Sequence, residues 1–316
     1  MNARVVVAGV VVVLLGVAGC GLVGQSGGGS ADRPPTVAAE TTSSPSQSQS
    51  ESQSPSPSPT VSTPSPSRTT PTVDSTAQLL AKQQRVLAQN PLYRVGRLPA
   101  SRCKEPAVRP TSVANVRKYY AEFLRCLDKV WKPVVEKAGF TFQPVRLEVF
   151  TGKTRTLCSV QDSAAYCGQG TISMSADFDI RNYRKSDKLW TRATMAHLAA
   201  HEYAHHIQRL TGISAASSIR TNYLNGVDAP LQESRRLELQ ASCLSGAYLG
   251  ADRSYFPVSG AWRERWRWAI SHRGDEWGTQ RDHGSSKNHS RWTRRGFNAA
   301  APSACNTFTA SAATVS

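Results

Sequence analysis

The chain has 316 residues, 38 lysines and arginines against 22 aspartates and glutamates, and a formal net charge of +16. That length accommodates one large domain or two small ones. The charge draws a protein to anionic lipids and polymers without specificity, and since no segment resembles a nucleic-acid-binding motif, charge alone stands behind a nucleic-acid binder.

The chain begins MNARVVVAGVVVVLLGVAGC. One early positive charge, Arg4, precedes an apolar run of about 15 residues, which is short for a spanning helix and suits the core of a secretory signal. Val17-Ala18-Gly19-Cys20 resembles the lipobox of bacterial lipoproteins, with Val17 in place of the usual leucine. The resemblance implies that residues 1–20 act as a lipoprotein-type signal whose Cys20 is lipidated and becomes the new N-terminus, and a chain held on the extracytoplasmic face of the cell membrane. An uncleaved anchor helix is the alternative.

Residues 21–75 are rich in Ser, Pro, Thr and Gln. With almost nothing apolar to bury, they are expected to form a disordered linker. About fifty flexible residues reach roughly 40 Å, which sets a folded domain off from a membrane surface.

Residues 76–316 are expected to form one domain with a sizeable core. Without Cys20, six of the seven cysteines remain: Cys103, Cys126, Cys158, Cys167, Cys243 and Cys305. An even count outside a reducing compartment points to three disulfides, of fifteen possible connectivities. Cys158 and Cys167 flank a short polar loop and pair first; Cys103–Cys126 and Cys243–Cys305 are the remaining assignment. No C-x-x-C pair offers a zinc–thiolate cluster.

Val113, Val116, Tyr120, Phe123, Leu124, Leu127 and Val130 recur at helical steps, and Gly139 supplies a stop. Residues 146–152 alternate like a strand, and 170–178 form a second strand candidate. A helix follows from Leu189 to Gly212 and another from Leu231 to Tyr248, with Leu237, Ala241, Leu244 and Tyr248 on one stripe. The arginine-rich last third has no clear period. The fold class is α+β, mostly helical.

The first of the two later helices contains MAHLAAHEYAHHIQRLTG, in which His201, Glu202 and His205 have the spacing H-E-x-x-H. Histidines four apart lie one turn apart on the same helix face, so both can reach one metal ion. Glu202, about 100° around the axis from His201, is placed to take a proton from an activated water. Ala196, Ala199, Ala200, Ala204, Ile207 and Leu210 make this helix apolar enough to be buried. His197 and His206 read as ordinary histidines. A catalytic zinc takes three protein ligands and leaves one position open. Glu238 is the favoured third ligand, because Ala241, Ser242 and Ser245 near its side allow a close helix approach; Glu233 competes with it.

HEYAHHIQ, ELQASCLSGAYLG, GDEW and HGSSKNHSRWTRRGF together resemble the bacterial putative neutral zinc metallopeptidase family in order and spacing, over most of residues 100–310. The resemblance implies a zincin-like domain of gluzincin type, with one Zn2+ held by His201, His205 and Glu238. Where the family's later helix usually reads E-L-Q-A-D, this chain has Ser242. A carboxylate there would orient a ligand histidine through its second ring nitrogen, and losing such a partner typically costs 10–100-fold in metal affinity or activity.

The expected activity is hydrolysis of peptide bonds in a protein or peptide substrate, with Glu202 as general base. His283 is the candidate donor to the oxyanion, with Tyr203 behind it. The competing reading is a weak or inactive zinc-binding module that binds anionic cell-wall polymer or lipid.

Overall fold

In a computed structural model, residues 75–152, 158, 163–276 and 280–316 are described. The N-terminal apolar segment, Cys20 and the linker up to residue 74 lie outside the described residues.

The chain enters on α1 (Ser75–Ala88) and continues into the long α2 (Val113–Lys137), where Ser112 accepts a hydrogen bond from the Asn115 N–H at 3.2 Å and caps the first turn. The apolar stripe of α2 is buried from Val116 to Val130. Val113 is the exception: as the first residue after the cap it projects beyond the core and is exposed.

A small sheet follows, with β1 (Arg146–Phe150), β2 (Ala164–Cys167) and β3 (Thr171–Ser175) in the order β1-β3-β2. β1 runs parallel to β3, with Arg146 opposite Thr171, while β2 runs antiparallel to it, with Cys167 opposite Thr171. The central strand, β3, is buried throughout. The strand expected over 170–178 stops short because Ser175 caps α3 (Ala176–Lys185) through the Phe178 N–H, so Ala176, Asp177 and Phe178 are helical. Asp179 of α3 is buried, and its carboxyl accepts the hydroxyl of Tyr120 at 2.7 Å.

Asp187 accepts the N–H groups of Leu189 and Trp190 and so starts α4 (Lys188–Leu210). Small alanines let neighbours approach α4 from several sides. α2, α6 (Asp228–Ala251) and α7 (Gly260–Ile270) all pack on it, and residues 193–204 are buried without a break. Gly212, with φ +75°, ends α4 and leads into α5 (Ile213–Thr221).

The final helix, α8 (Ser286–Ala299), lies directly on α6. A methyl group at Gly246 would collide with the carbonyl oxygen of Thr293, and one at Gly250 with that of Phe297. The two helices therefore run parallel with their backbones touching, in a register that advances four residues at a time on both. Disulfides join Cys103 to Cys126, Cys158 to Cys167 and Cys243 to Cys305, with Cα–Cα separations of 6.1, 4.9 and 5.4 Å. The last ties α6 to the segment after α8.

Candidate metal centre

α4 and α6 cross so that His201, His205 and Glu238 converge, each offering one ligand atom, all within 4.8 Å of one another. Glu238 Oε2 lies 3.2 Å from His201 Nε2 and 3.4 Å from His205 Nε2. A tetrahedral zinc with bonds of about 2.0–2.1 Å sets its ligand atoms about 3.3 Å apart. The three residues fit zinc in both chemistry and spacing. Glu233 is turned the other way, to an ion pair with Arg220 at 3.1 Å.

Each histidine is held by its other nitrogen. His205 Nδ1 lies 2.8 Å from Oε1 of Gln208, whose amide nitrogen in turn donates to the Leu237 carbonyl and to Gln240 Oε1. His201 Nδ1 lies 3.2 Å from Ser242 Oγ, and the same oxygen lies 2.8 Å from Nδ1 of His289 on α8. Both contacts leave Nε2 directed at Glu238. Glu238 and Ser242, one turn apart on α6, thus bracket the His201 ring from its two nitrogens.

Burial pushes His201 down to about 3, so its ring is neutral. At His205, burial also opposes the charged ring, but the carboxylates of Glu238 and Glu202 and the hydrogen bonds it makes outweigh this and push it up to about 9. Burial alone would raise Glu238; the charges of His205 and His283 and the bonds from His201 and His205 bring it well below the carboxylate range. Glu202 is 4% exposed, and burial lifts its carboxyl above the ordinary value. Among the described residues no side chain hydrogen-bonds to it, which leaves its oxygens available to a water molecule.

His283 sits on the rim, with Nε2 3.8 Å from Glu238 Oε2 and Nδ1 2.6 Å from Asp282 Oδ1. Asp275 supports that loop by accepting the N–H groups of His283 and Gly284. Tyr203 does not reach the site. It lies on another face of α4 and donates its hydroxyl to Asp128 at 2.6 Å. Both nitrogens of His206 are occupied, by Tyr166 and the Gln143 carbonyl, and His197 is buried against Ser245.

Gln208, three residues after His205 on α4, stands at helical contact spacing, but two further groups here have no signature in the sequence: His289 and Arg273. Arg273, just after α7, has a buried Nε with no hydrogen-bond partner among the described residues, and burial lowers its pKa against the charges of Glu202 and Glu238. His289 comes to the site on α8, packed on α6, and Arg273 from the segment after α7.

A family model described as putative neutral zinc metallopeptidase matches residues 96–255, a stretch that contains α4 and α6. The chain belongs to this family. It is 30% identical over 210 residues to the uncharacterized protein YpfJ of Escherichia coli (strain K12), a match covering 60% of this chain and 71% of YpfJ. The same figures hold for YpfJ of Escherichia coli O6:H1. No solved structure matches. Family membership makes zinc-dependent peptide hydrolysis the chemistry at family level, and His283 and His289 lie beyond the matched stretch.

Proposed function

We propose that the chain is a zinc-dependent peptidase exported from the cytoplasm and tethered to the outer face of the cell membrane, with residues 76–316 as its hydrolytic domain. The observation that carries this reading is the convergence of His201, His205 and Glu238, with Glu238 Oε2 at tetrahedral-edge distances from both histidine Nε2 atoms and Glu202 beside them. The lipobox-like Cys20 and the Ser/Pro-rich stretch support the tether.

His201, His205 and Glu238 would hold one Zn2+. When bound, the ion supplies Lewis acidity that polarises the scissile carbonyl and makes water nucleophilic at neutral pH. Glu202 accepts the proton of the attacking water and passes it to the leaving amine. His283, whose protonated ring the carboxylates of Glu238 and Asp282 favour, gives its Nδ1 hydrogen to Asp282 and is oriented to donate from Nε2 to the oxyanion. Exposed arginines of α7, including Arg263 and Arg267 beside the exposed Trp268, add a nonspecific attraction to anionic lipid or wall polymer.

The test is zinc per chain in the parent and in Glu238→Ala. Near one zinc in the parent and a sharp loss in the variant support the reading. A parent that takes up no zinc when supplied with it at neutral pH would sink it.

A further inference from the structure

The mechanism above makes no use of His289, yet this histidine is 1% exposed and touches the metal centre through one atom. The glycine-lined contact of α6 with α8 places it there. Gly246 faces Thr293, and Gly250 faces Phe297. One turn earlier on both helices, Ser242 faces His289.

A hydroxyl carries one hydrogen and can accept at two lone pairs. Binding a metal through Nε2, as the zinc reading requires, needs a lone pair there, so a neutral His201 then carries its hydrogen on Nδ1 and donates it to Ser242 Oγ, 3.2 Å away. The serine hydrogen then needs an acceptor, and Nδ1 of His289 stands 2.8 Å away. Among the described residues the Ser242 hydroxyl has no third partner. A carboxylate at this position can only accept, so it fixes the tautomer of the ring by itself. A serine can also donate. If its hydrogen turned toward His201 Nδ1, the ring would carry its proton on Nε2 and lose the lone pair that binds metal. The opposite nitrogen of His289 is buried with no hydrogen-bond partner, a desolvation cost that an apolar side chain would avoid. In return the imidazole supplies an acceptor.

We infer that His289 is a positioning residue of the metal centre: by accepting the Ser242 hydroxyl hydrogen it makes the serine an obligatory acceptor for His201, so that Ser242 and His289 together do the orienting work expected of a carboxylate at position 242. This inference rests on the zinc reading above and adds to it a residue outside the stretch that the family model matches.

The test measures the zinc dissociation constant of the full chain by chelator competition, with the melting temperature of each metal-free protein alongside. His289→Leu weakens zinc binding 10–100-fold and leaves the metal-free melting temperature within a few degrees of the parent. His289→Asn, whose side-chain oxygen replaces the accepting nitrogen, recovers most of the loss. Ser242→Ala weakens zinc to a similar degree, and the double variant Ser242→Ala/His289→Leu is no weaker than Ser242→Ala alone, because His289 acts through the hydroxyl. Parent-like zinc affinity in His289→Leu overturns the inference and leaves the zinc reading standing, as does a failure of His289→Asn to recover any of the loss. Should His289→Leu not fold, Ser242→Ala with parent-like affinity overturns it equally. A parent that binds no zinc overturns the zinc reading and the inference together.

Discussion

Gln208 holds His205 by its outer nitrogen, with Oε1 2.8 Å from Nδ1, and ties that grip to the ligand helix by donating to the Leu237 carbonyl. One amide therefore orients a ligand ring and anchors α4 to α6. Gln208→Ala is expected to weaken zinc binding about 10–100-fold. Gln208→Glu keeps an acceptor for Nδ1 but loses the donor to Leu237, so it should retain more zinc affinity than the alanine variant. Chelator competition on the two proteins separates the effects, and equal losses would show that the Nδ1 contact is not what matters.

Glu202 is proposed to move protons and not to hold metal. Glu202→Gln is therefore expected to keep the parent's zinc content while hydrolysis of a denatured protein substrate falls about 10²–10⁴-fold. Unchanged proteolysis with zinc retained would be evidence against this mechanism.

Asp179 provides a handle on stability outside the proposed ligand set. Burial pushes its carboxyl up to about 7, only partly offset by the Tyr120 hydroxyl. Below the unfolded-state value both states are protonated. As pH rises toward 7 the unfolded chain ionises while the folded one holds its proton, so stability is lost over that window. Asp179→Asn keeps an acceptor for Tyr120 and removes the titration. Its stability relative to the parent should grow from pH 4 to pH 8 by an amount on the order of 3–4 kcal/mol. Denaturant melts at the two pH values measure this; a difference that does not change with pH would refute it.

The α6–α8 contact leaves no room for a side chain at Gly246. Gly246→Ala is expected to destabilise the fold by about 1–3 kcal/mol or more, as overpacking does. Gly168, where an added methyl would meet nothing within 4 Å, serves as the neutral control. Equal melting temperatures for the two variants would contradict the close approach.

What could be read in the sequence follows from distance along the chain. H-E-x-x-H is legible because both histidines and the glutamate sit within two turns of one helix, and α2 and α6 show themselves through apolar stripes at helical spacing. The strand expected over 170–178 overran because the alternation of Ile172 and Met174 continues smoothly into Ser175, and nothing local marks that serine as a cap until its hydroxyl is seen at the Phe178 N–H. α7 and α8 show no clear period in the sequence because arginines interrupt their apolar faces and Gly296 stands inside α8. The choice between Glu238 and Glu233 stayed open because both lie on the same helix. It takes the position of Arg220, on another helix, to show which way Glu233 faces. Gln208 reaches His205 from three residues further along the same helix, whereas Arg273 and His289 meet the site only through tertiary contact, and no spacing rule describes that.

The parallel pairing of α6 with α8 also sets an order of assembly. Parallel neighbours need a crossover, here α7 and the loop carrying Asp275 and His283, so α8 cannot dock until that whole stretch has left the ribosome. The three proposed ligands are present once Glu238 has emerged, but the partner of Ser242 arrives some fifty residues later, several seconds at ordinary synthesis rates. During that interval the metal-binding side chains exist without the contact proposed to orient His201. Completion of the last helix, and not the appearance of the ligands, then marks when the centre acquires its final form.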